Sequence, residues 1–410
     1  MSATRDPIAK FAAPDGLHAC VHCGLCLSAC PTYVELGSEA DSPRGRIQLL
    51  QGLESGRLQP TDEVRRHLDL CLGCRACEPA CPSGVPYGAL IEAARPYLEA
   101  RRPPWSRVLR AGLVHALASR RTAATLRVAG FIPGLRGLVR VVPGMWAAYL
   151  AAIGNGRRAP RLPDVLEPSG PPRGTAALLL GCVADALFDS TNRAAAMLLQ
   201  HAGARVVVIR DQCCGALFAH AGQGDAARER SRAVARGLPG DADWIVTTAA
   251  GCGAHIRGLH HVVPDEPGAA DVAARARDAL SLLAELGLPA PRGGLAATVA
   301  IHDPCHLAHG QGVRGEVRAL LRTVPGLRLV ELEESDMCCG SAGTYNLTER
   351  AMARRLLERK VRRIEDSGAT VIAAANPGCL LQIRAGMLKR GLRAAVEHPL
   401  DLLARAHGLA

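Results

Sequence analysis

The chain has 410 residues, 48% of them hydrophobic and only 3% aromatic, which allows two or three domains with cores of Ala, Leu and Val. Its formal net charge of +11 points at first sight to nucleic acid, but twelve arginines and no acidic residue lie between Arg101 and Pro163, and the remainder is close to neutral. No zinc finger, helix-turn-helix or aromatic–basic motif accompanies that excess, so no nucleic acid is expected as a partner. Val141 to Gly154, the stretch that comes nearest to a membrane span, contains Pro143 and Gly144 and is too short to cross a bilayer. Met1 to Gly16 lacks a basic segment followed by an apolar core, so no secretory signal is expected, and a cytoplasmic location suits the thiols.

Residues 1–100 form the first expected domain. It carries Cys20, Cys23, Cys26 and Cys30 followed by Pro31, and Cys71, Cys74, Cys77 and Cys81 followed by Pro82. Both runs read C-x2-C-x2-C-x3-C-P, the spacing that holds 4Fe–4S clusters in two-cluster ferredoxins. Three thiolates of one loop meet three corners of a cubane, and the fourth cysteine of each run ligates the other cluster. The expected ligand sets are therefore Cys20, Cys23, Cys26 and Cys81 for one cluster, and Cys71, Cys74, Cys77 and Cys30 for the other. Zinc favours two separated C-x2-C pairs, and disulfides need an oxidising compartment; neither suits four cysteines within eleven residues, twice over.

Between the runs, Asp41-Ser42-Pro43 starts a helix carrying Ile47, Leu49, Leu50 and Leu53, and Thr61-Asp62-Glu63 starts another through Val64 and Leu68. A small β-rich ferredoxin has no room for two such helices, so an α-helical ferredoxin domain is expected. Residues 101–172 read as a basic, Pro- and Arg-rich connector, opened by Pro103-Pro104, with two or three helices broken at Pro133 and Pro143. Its apolar residues Trp105, Leu109, Leu113, Leu117, Phe131, Leu135, Leu138 and Trp146 are interleaved with arginines that include Arg120, Arg121, Arg136 and Arg140. Two readings stay open. The segment packs the ferredoxin domain onto its neighbours, or it lies peripherally on the cytoplasmic face of the inner membrane.

Residues 173–290 and 291–410 repeat one pattern. In the first unit, strand-like runs at Ala176–Leu180, Arg205–Ile209 and Trp244–Thr248 lead to Cys182, to Cys213-Cys214-Gly215 and to Cys252. In the second, Ala297–Ile301, Leu327–Leu332 and Val371–Ala375 lead to Cys305, to Cys338-Cys339-Gly340 and to Cys379. Helical stretches such as Asn192–His201 and Ala351–Ser367 lie between, which predicts parallel α/β units with thiols at the carboxyl ends of the strands. These eight cysteines form a candidate additional metal or redox site.

The doubled strings Asp211-Gln212-Cys213-Cys214-Gly215 and Asp336-Met337-Cys338-Cys339-Gly340 resemble the CCG domain of heterodisulfide reductases and related subunits. Together with Ala19-Cys20-Val21-His22-Cys23-Gly24, Cys30-Pro31-Thr32-Tyr33, Pro43-Arg44-Gly45-Arg46-Ile47 and Cys81-Pro82-Ser83-Gly84-Val85, the layout resembles the iron–sulfur subunits of bacterial 2-hydroxy-acid dehydrogenases, the glycolate oxidase family foremost. The resemblance implies two 4Fe–4S clusters, FAD on partner glycolate oxidase subunits, and electron transfer towards quinone or another membrane acceptor. It leaves open the equivalent subunits of anaerobic glycerol-3-phosphate dehydrogenase and lactate-type dehydrogenases, and a heterodisulfide-type reductase. The chain shows no convincing dinucleotide fingerprint, since Gly222-Gln223-Gly224 stands without a third glycine. It also departs from the CCG pattern that ends in C-x2-C: His255 and Gln382 occupy those last positions, so each unit offers four cysteines, with His255 as a further candidate ligand in the first.

Overall fold

The computed structural model describes residues 15–119, 121, 122, 125 and 159–409. The N-terminal part is helical. Ser42 caps helix α2 (Pro43–Glu54), its Oγ accepting the Gly45 N–H at 3.0 Å, after the short helix α1 (Pro31–Leu36). Thr61 caps α3 (Asp62–Asp69) in the same way through Val64 N–H. α4 (Tyr87–Ala100) lays Leu90, Ile91, Ala94 and Leu98 onto Ile47, Leu50, Leu53 and Leu68, closing a core around the cysteine runs. α5 (Pro104–Ala118) docks through Val114 against Phe218. Its Trp105 and Leu109 face solvent and its Leu113 and Leu117 are half-buried. Arg120, Phe131, Leu135, Arg136, Leu138, Arg140 and Trp146, with Pro133 and Pro143, lie outside the described residues.

The rest is built on two sheets. The first contains β1 (Val165–Leu166), β2 (Gly174–Leu179), β3 (Ala204–Ile209), β4 (Trp244–Thr247) and β5 (Ala276–Asp278) in the order β1-β3-β2-β4-β5. All of its pairings are parallel except β1 with β3. The second contains β6 (Ala297–His302), β7 (Leu327–Val330), β8 (Val371–Ala374) and β9 (Ala395–Glu397), all parallel, in the order β7-β6-β8-β9. Setting the antiparallel edge β1 aside, the two orders are the same. The duplicated, parallel α/β architecture expected from the sequence is therefore present. Each sheet also has a fourth parallel strand, β5 or β9, that the sequence pattern did not reveal. Three residues such as Ala276-Arg277-Asp278 carry no alternation to read.

The repeats pack reciprocally. The helix after β9, Pro399–His407, lies on the Asp189–His201 helix of the first repeat, and the helix after β5, Ala279–Leu286, lies on the Gly315–Arg322 helix of the second. One continuous core results, joining Leu198, Leu199, Leu282 and Leu283 with Leu320, Leu321, Leu402 and Leu403. Thr191 Oγ1 donates to Asp401 Oδ2 at 2.9 Å, and His398 Nε2 donates to Thr248 O at 3.1 Å, across the join. The two outer sheet faces have separate cores.

Asp278 and His398 cap the two equivalent helices. His398 Nδ1 accepts the Leu400 N–H while its other nitrogen reaches Thr248, so both ring nitrogens are used. Asp278 Oδ1 accepts the Leu280 N–H at 2.9 Å, but Oδ2 has no partner among the described residues. Burial pushes the Asp278 carboxyl up to about 7. A carboxyl raised on folding contributes fully to stability below its unfolded pKa and loses that contribution as pH rises through the folded value. Asp278→Asn keeps the capping oxygen and removes the ionisation. It is expected to raise stability, read as the thermal midpoint, by an amount that grows from pH 4 to pH 7 and then levels off, at most about 4 kcal/mol in free energy. Melts at pH 4, 6 and 8 check this; a gain independent of pH would disprove it.

Candidate metal centres

The two N-terminal runs fold into matching loops. His22 and Gly24 in the first, and Gly73 and Arg75 in the second, all have positive φ. The same turn bonds follow: Leu27 N to Gly24 O and Cys30 N to Leu27 O, then Glu78 N to Arg75 O and Cys81 N to Glu78 O. This winding turns backbone N–H groups towards sulfur, and Gly73 N–H donates to Cys71 Sγ at 3.4 Å.

The cysteines of the two runs differ in exposure. Cys23 is exposed and Cys20, Cys26 and Cys81 are half-buried, whereas Cys30, Cys71, Cys74 and Cys77 are buried. Cys30, at the end of the first run, lines a small cavity with Cys71, Cys74 and Cys77 of the second. Burial holds the Cys77 thiol well above the ordinary thiol range, and the charges of Cys74, Cys71 and Cys30 add to that rise. For Cys74 burial again comes first, followed by Cys305, with Cys30 and Cys71 contributing. Four thiols this close in a dry interior cannot all ionise without a compensating positive charge.

Part of that charge is Arg46, which is 1% exposed. Its Nε donates to His67 O at 2.6 Å, Nη2 to Thr32 Oγ1 at 3.0 Å and Nη1 to Cys30 Sγ at 3.9 Å. Asp41, which accepts from His67 Nδ1 at 2.8 Å, lies 3.8 Å from the guanidinium. Tyr87 Oη donates to Cys71 Sγ at 3.6 Å. The sequence pattern assigns Arg46 and Tyr87 no role. The available signal is the place of Arg46 on the apolar stripe of α2, four and seven residues before Leu50 and Leu53.

In both repeats the cysteines lie past the carboxyl ends of the strands and come together. In the first, Cys213 Sγ is 3.8 Å from Cys182 Sγ, and the neighbouring Cys213 and Cys252 together with burial hold the Cys214 thiol well above its ordinary range. In the second, Cys305, Cys338, Cys339 and Cys379 are all buried, and their mutual proximity together with burial holds the Cys305, Cys338 and Cys339 thiols well above the ordinary range. The glycine of each Cys-Cys-Gly is required by space as well as by φ. Gly215 (φ 95°) and Gly340 (φ 84°) sit where a Cβ would meet Ala227 O at 3.0 Å and Ala353 O at 2.7 Å. His255, the candidate ligand of the first repeat, is buried with Nε2 3.0 Å from Ser231 Oγ; Gln382 accepts from Asn346 Nδ2 at 3.0 Å.

The two rims meet across the repeat boundary. Gly251 N–H donates to Asn376 Oδ1 at 3.3 Å, and the His220 and His306 rings lie 5.0 Å apart. The helical domain packs against both. His220 Nδ1 is 3.2 Å from Glu92 Oε1 of α4, and Arg359 Nη1 donates to Glu35 Oε1 at 2.9 Å. Tyr345 Oη donates to Leu70 O at 2.9 Å, within an apolar cluster that holds Cys74, Cys305 and Cys338 together. The buried N-terminal thiols thus adjoin the second rim. His302, at the end of β6, is a buried neighbour of Cys339 and Cys379 that the sequence pattern does not single out. Burial pushes its pKa down to about 3, so the ring is neutral at physiological pH.

Known proteins share this arrangement. Residues 16–85 match the 4Fe-4S dicluster domain family, and residues 176–257 and 299–384 each match the cysteine-rich domain family named CCG. The chain is 27% identical to a subunit of the fumarate reductase (CoM/CoB) of Methanothermobacter marburgensis, over 95% of this chain and 72% of that one. It is 33% identical to the glycolate oxidase iron-sulfur subunit of Escherichia coli (strain K12), over 95% of this chain and 94% of that one. Identity reaches 37% with the probable glycolate oxidase iron-sulfur subunit of Bacillus subtilis (strain 168), with the same coverage of 95% and 94%. At this level, over nearly the full length of both, the chain belongs to the family of glycolate oxidase iron–sulfur subunits.

Proposed function

We propose that this chain is the electron-carrying subunit of a complex that oxidises glycolate to glyoxylate, receiving electrons from a flavin-bearing partner and passing them towards a quinone. Cys20, Cys23, Cys26 and Cys81 hold one 4Fe–4S cluster, and Cys71, Cys74, Cys77 and Cys30 hold the other. When bound, such clusters take up and release single electrons. The donor set fits this chemistry: two matched loops of thiols, backbone N–H groups turned to sulfur, and a buried guanidinium beside the inner set. The observation that carries the reading is the place of Cys30, which belongs to one run and lines a small cavity with Cys71, Cys74 and Cys77 of the other.

The chain's own residues define an order. The outer set lies at the surface beside Val21 and Leu25, which are 69% and 58% exposed, and this is where the partner's donor is expected to dock. The inner set is sealed by Tyr87 and Leu72 and adjoins Cys305 and Cys338 of the second rim. The eight repeat cysteines are candidates for a further metal centre on that side. Among the described residues no helix is long and apolar enough to cross a membrane. In this reading delivery to quinone is peripheral, with α5 and the basic segment after it as the contact or as a docking element.

Three outcomes are expected. Cys30→Ser should remove roughly half the iron and the EPR signal of the inner set, while Cys81→Ser should affect the outer set. Loss of the outer signal in Cys30→Ser would show that each run closes on itself. Arg46→Gln should cost about 3–5 kcal/mol of stability by leaving buried partners of the guanidinium unpaired. It should also lower the reduction potential of the inner set, because removing a positive charge disfavours the reduced, more negative state; Arg46→Lys should recover part of the potential. Finally, the chain co-expressed with its flavin-bearing partner should support dye-linked oxidation of glycolate in preference to lactate or glycerol 3-phosphate. A preference for glycerol 3-phosphate would overturn the substrate assignment.

A further inference from the structure

We propose that the second repeat binds a single divalent cation of the zinc class through His302 Nε2, Cys339 Sγ and Cys379 Sγ. A ring nitrogen of His302 and the two sulfur atoms, all on buried residues, lie within 4.8 Å of one another. Small side-chain adjustments bring them onto one ion at the usual distances of about 2.0–2.3 Å. One imidazole and two thiolates form a donor set that suits zinc.

The orientation of His302 is the second observation. Its Nδ1–H donates to Ser335 O at 2.9 Å, which leaves the lone pair on Nε2. That nitrogen has no hydrogen-bond partner among the described residues, although the side chain is 1% exposed. Buried acceptors are rarely left in that state. An imidazole whose far N–H is fixed by a backbone carbonyl is also the usual arrangement of a metal-binding histidine. Asn376 Nδ2 donates to Cys379 Sγ at 3.5 Å, an outer hydrogen bond suited to a thiolate. The ammonium of Lys360, held by the carbonyls of Glu334 and Ser335, lies near the thiols and offsets their charge.

The duplication provides an internal comparison. His302 ends β6 three residues before Cys305; the equivalent residue, three before Cys182 at the end of β2, is Leu179. The first repeat has its imidazole elsewhere, at His255, where Ser231 occupies Nε2. The ion would tie together the end of β6, the Cys-Cys-Gly turn and the start of the Pro377–Arg390 helix. The site does not depend on the iron–sulfur assignment of the N-terminal runs.

The test uses the full-length chain expressed with zinc supplied, its metals counted by mass spectrometry. About one zinc per chain is expected beyond the iron, with zinc-edge X-ray absorption of the unaltered chain showing nitrogen as well as sulfur neighbours. His302→Ala and Cys379→Ala should lose the zinc and keep the iron, while His255→Gln should keep both. No zinc in the unaltered chain, a sulfur-only zinc shell, full zinc in His302→Ala, or iron with sulfide at Cys339 and Cys379 would each overturn the site. Zinc present with iron too scarce for two clusters would refute the iron–sulfur reading instead and leave this site standing.

Discussion

Negative charge on closely packed sulfur is the constraint around which this molecule is organised. Thiolates repel one another, and the repulsion grows in a dry interior. The chain answers with buried cations set into the framework. Arg46 reaches Cys30 from inside α2, and Lys360 sits beside Cys338 and Cys339 from inside a helix of the second repeat. Both are almost wholly enclosed, and both spend their hydrogen bonds largely on backbone carbonyls or neutral hydroxyls. Arg46 divides its charge between Cys30 Sγ at 3.9 Å and the buried Asp41 carboxylate at 3.8 Å.

The doubled sheet provides the geometry. Parallel strands end on one side, and loops at that side can gather groups far apart in sequence. Cys305, Cys339 and Cys379 come from three such ends. The glycine after each cysteine pair, at positive φ, lets the turn press closely against a neighbouring helix. Reciprocal helix packing then fixes the two sheets so that their rims touch, through Gly251 and Asn376 and through the rings of His220 and His306. The helical domain is held by contacts with both repeats, which brings Cys74 next to Cys305 and Cys338.

Local signals in the sequence were legible where one segment decides its own structure. Ser42-Pro43 and Thr61 start helices as capping chemistry requires, and the apolar runs before Cys182, Cys213, Cys305 and Cys338 are strands. The three-residue strands β5 and β9 were not legible, because their pairing comes from β4 and β8 rather than from their own composition. Nor was the position of His302. A histidine at a strand end looks like any other until Ser335, Cys339 and Cys379 arrive from distant parts of the chain. Arg46 lies between these cases: its helix position was readable, but its partners Cys30, Thr32 and His67 were not.

The swapped helices at the join have a consequence for biosynthesis. Thr191 and Asp401 are 210 residues apart, yet they close the same layer. Leu198 and Leu199 lack their covering surface until Leu402 and Leu403 have left the ribosome. The first sheet therefore cannot reach its final packing during translation, even though most of it is made long before the end. A nascent chain stalled before the Pro399–His407 helix would expose the apolar face of the Asp189–His201 helix.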